Sequence, residues 1–469
     1  MKKIITSFIF ILLAYGAFAQ SIAGDWYGTL NIPGGTTLHV VFHITKSGET
    51  YSATFDSPDQ GAKGLATDKT IVAGNQVTIE AAQFNFKYMG DYKPDSNKIT
   101  GTFTQGGGSL PLILTYGKPS TAVVPAVRPQ DPKDFPYKQE EVVFANPKAG
   151  DKLAGTLTMP ADGKANKIVI LITGSGPQNR NEEIKQLNHR PFLVWSDWLT
   201  RQGIAVLRYD DRGIGQSTGD FKTATSADFA DDAEAAVNYI RSRSDLKGLS
   251  IGLMGHSEGG MIAPIVASRD KAVKFIVLLA GPGVPIEQLM LKQVADQMRL
   301  GGAPGEAILR SSATNKKVYK LISQNPSLST AQLKQQVDTL MYRELRGYPK
   351  ADLQNQSIDA IVKQSSALIS PWYRYFIAFN PADYLTKVKC PVLALDGTLD
   401  MQVNSEANLA GIKASLEKGG NRNFQVVSLP RLNHLFQKAT TGSVAEYAQI
   451  PETVDPAALQ KVSAWINQR

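Results

Sequence analysis

The chain has 469 residues, 42% of them hydrophobic and 20% charged, with a formal charge of +8. That length exceeds one compact core and calls for two or three units of ordinary globular composition. Basic residues are interspersed with acids, which speaks for solubility and against a nucleic-acid partner, and a single cysteine, Cys390, excludes an intrachain disulfide.

Residues 1–19 carry Lys2 and Lys3, an apolar run from Ile4 to about Ala14, and Ala17-Phe18-Ala19. This is the layout of a cleavable export signal, with Gln20 as the new N-terminus and a periplasmic or extracellular destination. Loss of both lysines leaves a charge of +6. The run is too short to span a bilayer comfortably and no second one follows, so stable membrane insertion is not expected.

Residues 20–117 read as a small all-β domain, barrel-like in form. Strand-like runs lie at 50–55, 76–81, 84–88, 98–104 and 110–116, punctuated by Pro33-Gly34-Gly35, Lys46-Ser47-Gly48 and Gly106-Gly107-Gly108. Leu38, Val40, Phe42 and Ile44 share one strand face, and Thr37, His39, Val41 and His43 the other. Four residues of strand rise put His39 and His43 roughly 13 Å apart, too far to hold one ion, so both are expected at the surface.

Residues 118–137 contain Pro119, Pro125, Pro129, Pro132 and Pro136 and read as an extended, semi-rigid linker. Beyond it, over 138–469, strands and helices alternate: strands at 140–145, 153–159, 168–172, 204–208, 249–254 and 275–279, with helices near 192–201, from Ser226 and after Ser257. Ser226 is the expected cap of its helix, Asp228 suits the first turn, and Phe229, Ala233, Val237 and Ile240 form one stripe. Apolar strands flanked by helices imply a mostly parallel sheet covered on both faces. Between about 285 and 381 helical patterns replace this rhythm, which predicts a cap over the sheet edge; strands resume at 392–395, after Cys390 (a core residue by context), and at 424–427. A last helix starts at Asp455-Pro456.

The stretch Gly255-His256-Ser257-Glu258-Gly259 sits between a predicted strand and a predicted helix, the setting of a nucleophile elbow. A serine nucleophile needs a base, and the base needs an orienting acid, in the chain order serine, acid, histidine. His434 is the one histidine after Ser257. Asp396 and Asp400 both follow the preceding strand; Asp400, on the loop past the turn at Gly397, is the one placed to reach back to an imidazole. Two backbone N–H groups should form an oxyanion hole. Glu258 supplies one, and the Thr173–Arg180 loop the other, with Ser175 the best position and Gly176 the next. Asp210-Asp211-Arg212-Gly213-Ile214-Gly215-Gln216-Ser217 lacks the phosphate-cradle pattern and reads as a brace for this edge. His189 reads as structural, and His256 as packed beneath the elbow.

Together, the segments T-G-S-G-P-Q-N-R-N-E, L-R-Y-D-D-R-G-I-G-Q-S-T-G, G-H-S-E-G-G, G-T-L-D-M-Q-V and L-N-H-L-F-Q resemble the α/β-hydrolase superfamily. More closely, they resemble bacterial serine carboxylesterases that carry an N-terminal β domain and a helical cap. The resemblance implies an α/β-hydrolase fold, a triad of Ser257, Asp400 and His434, an oxyanion loop at Gly174–Gly176, and cleavage of small-molecule esters through an acyl-enzyme. It implies no metal or cofactor. A serine peptidase of aminopeptidase type, or an acyltransferase or thioesterase, would use the same groups. A binding protein on this scaffold is the reading of a different class.

Overall fold

Alternation of apolar and polar residues between Gly24 and Tyr116 produces one antiparallel sheet. The structure, a computed structural model, describes residues 22–32, 36–58, 62–105, 108–117, 128–353 and 356–469. The expected leader, the turns at 33–35 and 106–107 and the linker residues 118–127 lie outside them. Among the described residues nine strands run in chain order: β1 (Gly24–Ile32), β2 (Thr36–Ser47), β3 (Thr50–Ser57), β4 (Ala62–Ala66), β5 (Lys69–Ala73), β6 (Gln76–Ala81), β7 (Phe86–Lys93), β8 (Lys98–Gln105) and β9 (Gly108–Tyr116). Their order is β4-β3-β2-β1-β9-β8-β7-β6-β5. The strands at the two ends, β4 and β5, are consecutive in the chain and joined by Thr67 and Asp68. The Thr67 amide donates to Ala53 O of β3 at 3.3 Å and the Asp68 amide to Glu80 O of β6 at 2.8 Å. The sheet thus curls until its two ends come together through this short connection, with no ladder between β4 and β5 among the described residues.

Side chains of β7 alternate buried and exposed along its whole length. Trp26, Phe42, Tyr88, Phe103 and Leu112 fill the interior. The Trp26 indole N–H donates to Ile22 O at 2.8 Å and the Tyr88 hydroxyl to Ile99 O at 3.0 Å, so the polar tips of buried aromatics are satisfied. His43 keeps the surface side expected for it, with its side chain 32% exposed, and meets two carboxylates there. It is half-buried, with Nδ1 2.7 Å from Asp25 and Nε2 3.0 Å from Asp56. Burial would lower its pKa, but the two carboxylates outweigh that and raise it.

The described end of the linker is docked rather than free. The buried Arg128 guanidinium donates to Leu187 O at 2.9 Å, Glu452 O at 3.2 Å and Tyr447 O at 3.3 Å, while Gln130 Nε2 donates to Val454 O at 2.6 Å. A guanidinium satisfied by main-chain carbonyls fixes this segment on the larger unit, a contact that proline content cannot reveal.

That unit opens with the antiparallel hairpin β10 (Lys138–Asn146) and β11 (Asp151–Met159). It continues with β12 (Lys167–Ile172), α1 (Pro191–Arg201), β13 (Ala205–Tyr209), α2 (Ser226–Ser242), β14 (Ser250–His256), α3 (Glu258–Arg269) and β15 (Val273–Leu279). Helices α4 (Ile286–Leu300), α5 (Gly305–Gln324), α6 (Thr330–Leu345), α7 (Ile358–Gln364) and α8 (Pro371–Ala378) form the insertion, inside the range expected for a cap. Then follow α9 (Ala382–Leu385), β16 (Val392–Gly397), α10 (Ser405–Lys418), β17 (Phe424–Leu429) and α11 (Pro456–Asn467). The sheet order is β10-β11-β13-β12-β14-β15-β16-β17, parallel from β13 to β17.

Both faces of this sheet are covered, as its uninterrupted apolar strands require. On β12, Ile168, Ile170 and Ile172 pack towards α2, α3 and α10, and the intervening Val169 and Leu171 towards α1 and α11. Each such side chain contributes roughly 1.5–3 kcal/mol by leaving water. The cap of α2 is Thr225, not Ser226: the Thr225 amide and hydroxyl both donate to Asp228, at 2.8 and 2.7 Å. Ser226 is drawn elsewhere, to Glu258.

Candidate active site

One residue separates β14 from α3, and it is Ser257, with φ 52° and ψ −113°. A positive φ at a non-glycine residue costs on the order of 1–3 kcal/mol and needs its surroundings to enforce it. Here the Ser257 amide donates to Leu279 O of β15, and Ser257 O accepts the Gly260 amide, both at 2.9 Å. The flanking glycines are steric requirements. A Cβ on Gly255 would overlap Gly259 O, and one on Gly259 would overlap Ile172 O.

His434 lies on the loop after β17, which the buried Asn433 shapes by accepting the Leu435 and Gln437 amides at 3.0 and 2.9 Å. His434 Nδ1 is 2.6 Å from Asp400 Oδ2. The other Asp400 oxygen accepts the Gln402 and Val403 amides at 2.7 and 2.8 Å. Burial alone would raise the Asp400 carboxyl; the charge and hydrogen bond of His434 outweigh it and hold Asp400 below the usual carboxylate range. Asp396 behaves oppositely. It is buried at the end of β16, where it accepts the Gly397 amide at 2.7 Å. Burial and the neighbouring Asp400 charge push it well above that range. Two adjacent carboxyls are thereby pushed in opposite directions, Asp400 towards its charged form facing the imidazole and Asp396 towards its neutral form behind it.

The loop after β12 brings Ser175 to the serine. Asp211 braces it, accepting the Thr173 hydroxyl at 2.8 Å and the Gln178 amide at 2.9 Å. Asp210 accepts the Arg180 amide and guanidinium, both at 2.8 Å. The Asp210–Ser217 loop therefore has the bracing position expected for it. The Gly174 amide is committed to Glu182 Oε1 at 2.7 Å, which leaves the next amide, that of Ser175, as the one nearest in sequence for an oxyanion.

Ser257, His434, Ser175 and Glu258 line one cavity of about 450 Å³. Most of its wall is apolar. The cap contributes Leu289, Met290, Trp372, Tyr373 and Phe376, and other loops add Leu187, Val403 and Tyr447. Among the described residues no lysine or arginine lines it.

Three features of the site are not legible in the sequence. The Glu258 side chain is buried and accepts from Ser226 Oγ at 2.5 Å and from the Trp372 indole N–H at 2.8 Å. It ties the elbow to α2 and to the cap, and burial raises its pKa. Trp372 itself carries no motif. Glu182 is 4% exposed, lines the cavity and contacts His256; its position at the end of the N-R-N-E segment was the available signal. His189, by contrast, is fully buried with Nε2 3.0 Å from Thr453 O, and burial takes its pKa down to about 3, in keeping with a structural role.

Residues 192–345 match the family model described as serine aminopeptidase, S33 (Hydrolase_4). The match spans Ser257 and ends before Asp400 and His434. Esterase EstD of Thermotoga maritima is 23% identical over 342 residues, covering 72% of this chain and 68% of that protein. The uncharacterized protein YfhR of Escherichia coli O157:H7 is 28% identical over 145 residues, covering 30% of this chain and 47% of that one. Among solved structures, the Pyrococcus furiosus esterase Pf2001 aligns with a TM-score of 0.42 at 17% identity, covering 72% of this chain and 92% of that chain. Est1E of Butyrivibrio proteoclasticus with ferulic acid bound aligns at 0.40 and 17%, covering 70% and 98%. The sheet order and the strained serine turn between β14 and α3 give the chain the α/β-hydrolase fold, and the family-model match runs across that turn.

Proposed function

We propose that the protein is a serine hydrolase of carboxylic esters, with Ser257 as nucleophile, His434 as general base and acid, and Asp400 as the group that orients His434. The observation that carries this reading is the 2.6 Å contact of His434 Nδ1 with Asp400, in a histidine that shares a cavity with a serine held at positive φ. That contact leaves Nε2 for the nucleophile. Ser257 Oγ attacks the ester carbonyl as His434 Nε2 takes its proton. The tetrahedral oxyanion is received by the Ser175 and Glu258 amides, at the N-terminus of α3, where partial positive charge gathers. His434 returns the proton to the departing alkoxide, and the same steps with water release the acid and free Ser257.

The wall of the cavity supports an uncharged, largely apolar substrate, and a volume of about 450 Å³ suits a small ester. The names of EstD, Pf2001 and Est1E point to the same chemistry. An aminopeptidase reading rests on the description of the matching family. It asks for an anionic subsite, and the cavity's two glutamates, Glu182 and Glu258, are already engaged by protein donors. The reading extends to export, with a mature protein starting at Gln20, which the mass of the secreted product tests. A p-nitrophenyl ester series from acetate to octanoate, run beside amino-acid p-nitroanilides, tests the activity. Ester turnover abolished by Ser257→Ala is expected. Turnover of anilides alone, or ester turnover indifferent to Ser257→Ala, would overturn it.

A further inference from the structure

His256, the residue before the serine, is 7% exposed and lies between two acceptors. Its Nδ1 is 2.9 Å from Glu182 Oε1, and its Nε2 is 2.9 Å from the main-chain carbonyl oxygen of His434. A carbonyl oxygen only accepts, so Nε2 carries a hydrogen. On the other side, Glu182 Oε1 already accepts the Gly174 N–H at 2.7 Å. A hydrogen on that oxygen would also place the proton on the weaker base of the pair. Nδ1 therefore donates as well, and a ring that donates from both nitrogens is an imidazolium.

We propose that His256 is a buried imidazolium paired with Glu182, and that the pair is a positioning unit that holds the Gly174–Ser175 loop and the His434 loop in register around Ser257. One carboxylate oxygen grips the amide beside the Ser175 donor. The ring grips the carbonyl of the residue that carries the base, and the ring's own main chain runs directly into Ser257. The rings of His256 and His434 lie 4.8 Å apart, inclined by 42°. The unit thus touches all three parts that must meet at the reacting carbonyl, and it touches them through fixed hydrogen bonds. The Glu182 backbone is held at φ 51°, a conformation that a buried glutamate adopts only under constraint. The inference rests on the esterase reading of Ser257, His434 and Asp400.

The groups that face His256 are Glu182 and His189 from the loop after β12, and Asp400 and His434 from the loops after β16 and β17. Burial works against a charge on His256, but the charge and hydrogen bond of Glu182, the His434 carbonyl and Asp400 outweigh it and raise its pKa. His189, held neutral, adds no competing cation. With the folded value raised, the imidazolium's contribution is complete below the ordinary histidine range and is lost as pH rises through the folded value. Removing the Glu182 charge brings that loss to lower pH.

Protein labelled with [15N]histidine, with the His256 signal assigned by its absence from His256→Gln, reads the ring directly. Both His256 nitrogens are expected to be protonated between about pH 6 and pH 8, and Glu182→Gln to convert the ring to a neutral tautomer in that interval. For p-nitrophenyl acetate, Glu182→Gln and His256→Gln are expected to lower kcat about 10- to 100-fold per fluorophosphonate-labelled site, with KM within about threefold. The alkaline fall in kcat should move to lower pH in Glu182→Gln. A role in folding alone would reduce the labelled fraction and leave kcat per labelled site at the native value, and that result overturns the proposal. So does a neutral His256 ring in the native protein. Absence of Ser257-dependent hydrolysis in the native protein would remove the esterase reading and the positioning role with it, whatever the His256 spectrum shows.

Discussion

The curled sheet of residues 22–117 and the hydrolase unit spend their interiors differently. Inside the sheet, buried positions are aromatic and aliphatic apart from Asp56 and Ser57 on β3, and among the described residues its positive-φ positions other than glycine are Asn85 and Asn97, both in turns, where asparagine tolerates the left-handed region. Inside the hydrolase unit, Glu182, Asp211, His256, Glu258, Asp396, Asp400 and His434 are all buried. Its positive-φ residues include Glu182, Ser257, Arg431 and Phe436, none of them suited to that conformation. The first region is organised for packing. The second carries strain and buried charge in the loops at one edge of its sheet, and accepts both because its two-sided apolar core is large.

If that contrast is real, substitutions at the strained edge change turnover more than stability, and substitutions inside the curled sheet do the reverse. The largest effect is expected for Ser257→Ala, a loss of ~10⁶-fold in kcat, to background. Its melting temperature should stay within a few degrees of the parent by calorimetry. Next, Asp400→Asn should lower kcat about 10⁴-fold by allowing the wrong His434 tautomer, whereas Asp396→Asn, which replaces a carboxyl that burial and Asp400 push towards its neutral form, should cost less than about tenfold. Equal losses in the two would mean that the pair shares its charge.

Phe42→Ala probes the other side of the contrast. It empties the centre of the curled sheet and should destabilise that region by about 3–5 kcal/mol in denaturant titration, with kcat on a short ester unaltered. A fall in kcat would show that the sheet supports the site. Glu258→Gln is expected to act more weakly, raising KM a few-fold through a looser Trp372 contact, because Ser226 and the indole both donate to Oε1 and the amide keeps one acceptor oxygen for them. The smallest signal concerns pH. Asp396 has a raised folded pKa, so its stabilising effect is present below the unfolded carboxylate pKa and is lost as pH rises towards the folded value. The melting temperature of Asp396→Asn relative to the parent should therefore increase between about pH 4 and pH 7; a constant difference would argue that Asp396 is ionised in the fold.

Much of the hydrolase unit is legible in the sequence because its signals are local. A strand, a glycine-flanked serine and a helix follow one another within a dozen residues, and periodicity marks β12, β15 and α2 without reference to anything distant. The short β4 and β5 escape, since five residues with no fully buried side chain show little apolar contrast between their two faces. Thr225 rather than Ser226 caps α2 because Glu258, far away in the chain, claims the Ser226 hydroxyl.

By itself, then, the sequence determines the chain order of the proposed serine, acid and histidine, the glycines that the elbow demands, and an alternation that can only bury itself as a covered parallel sheet. Each follows from short-range sterics or from a periodicity written along the backbone. Which of Asp396 and Asp400 meets His434, the docking of Arg128, the grip of Glu258 on Trp372 and the pairing of His256 with Glu182 are decided only by the tertiary structure. Those contacts join residues up to hundreds of positions apart, and their strength comes from burial, which no residue carries until the chain has folded around it.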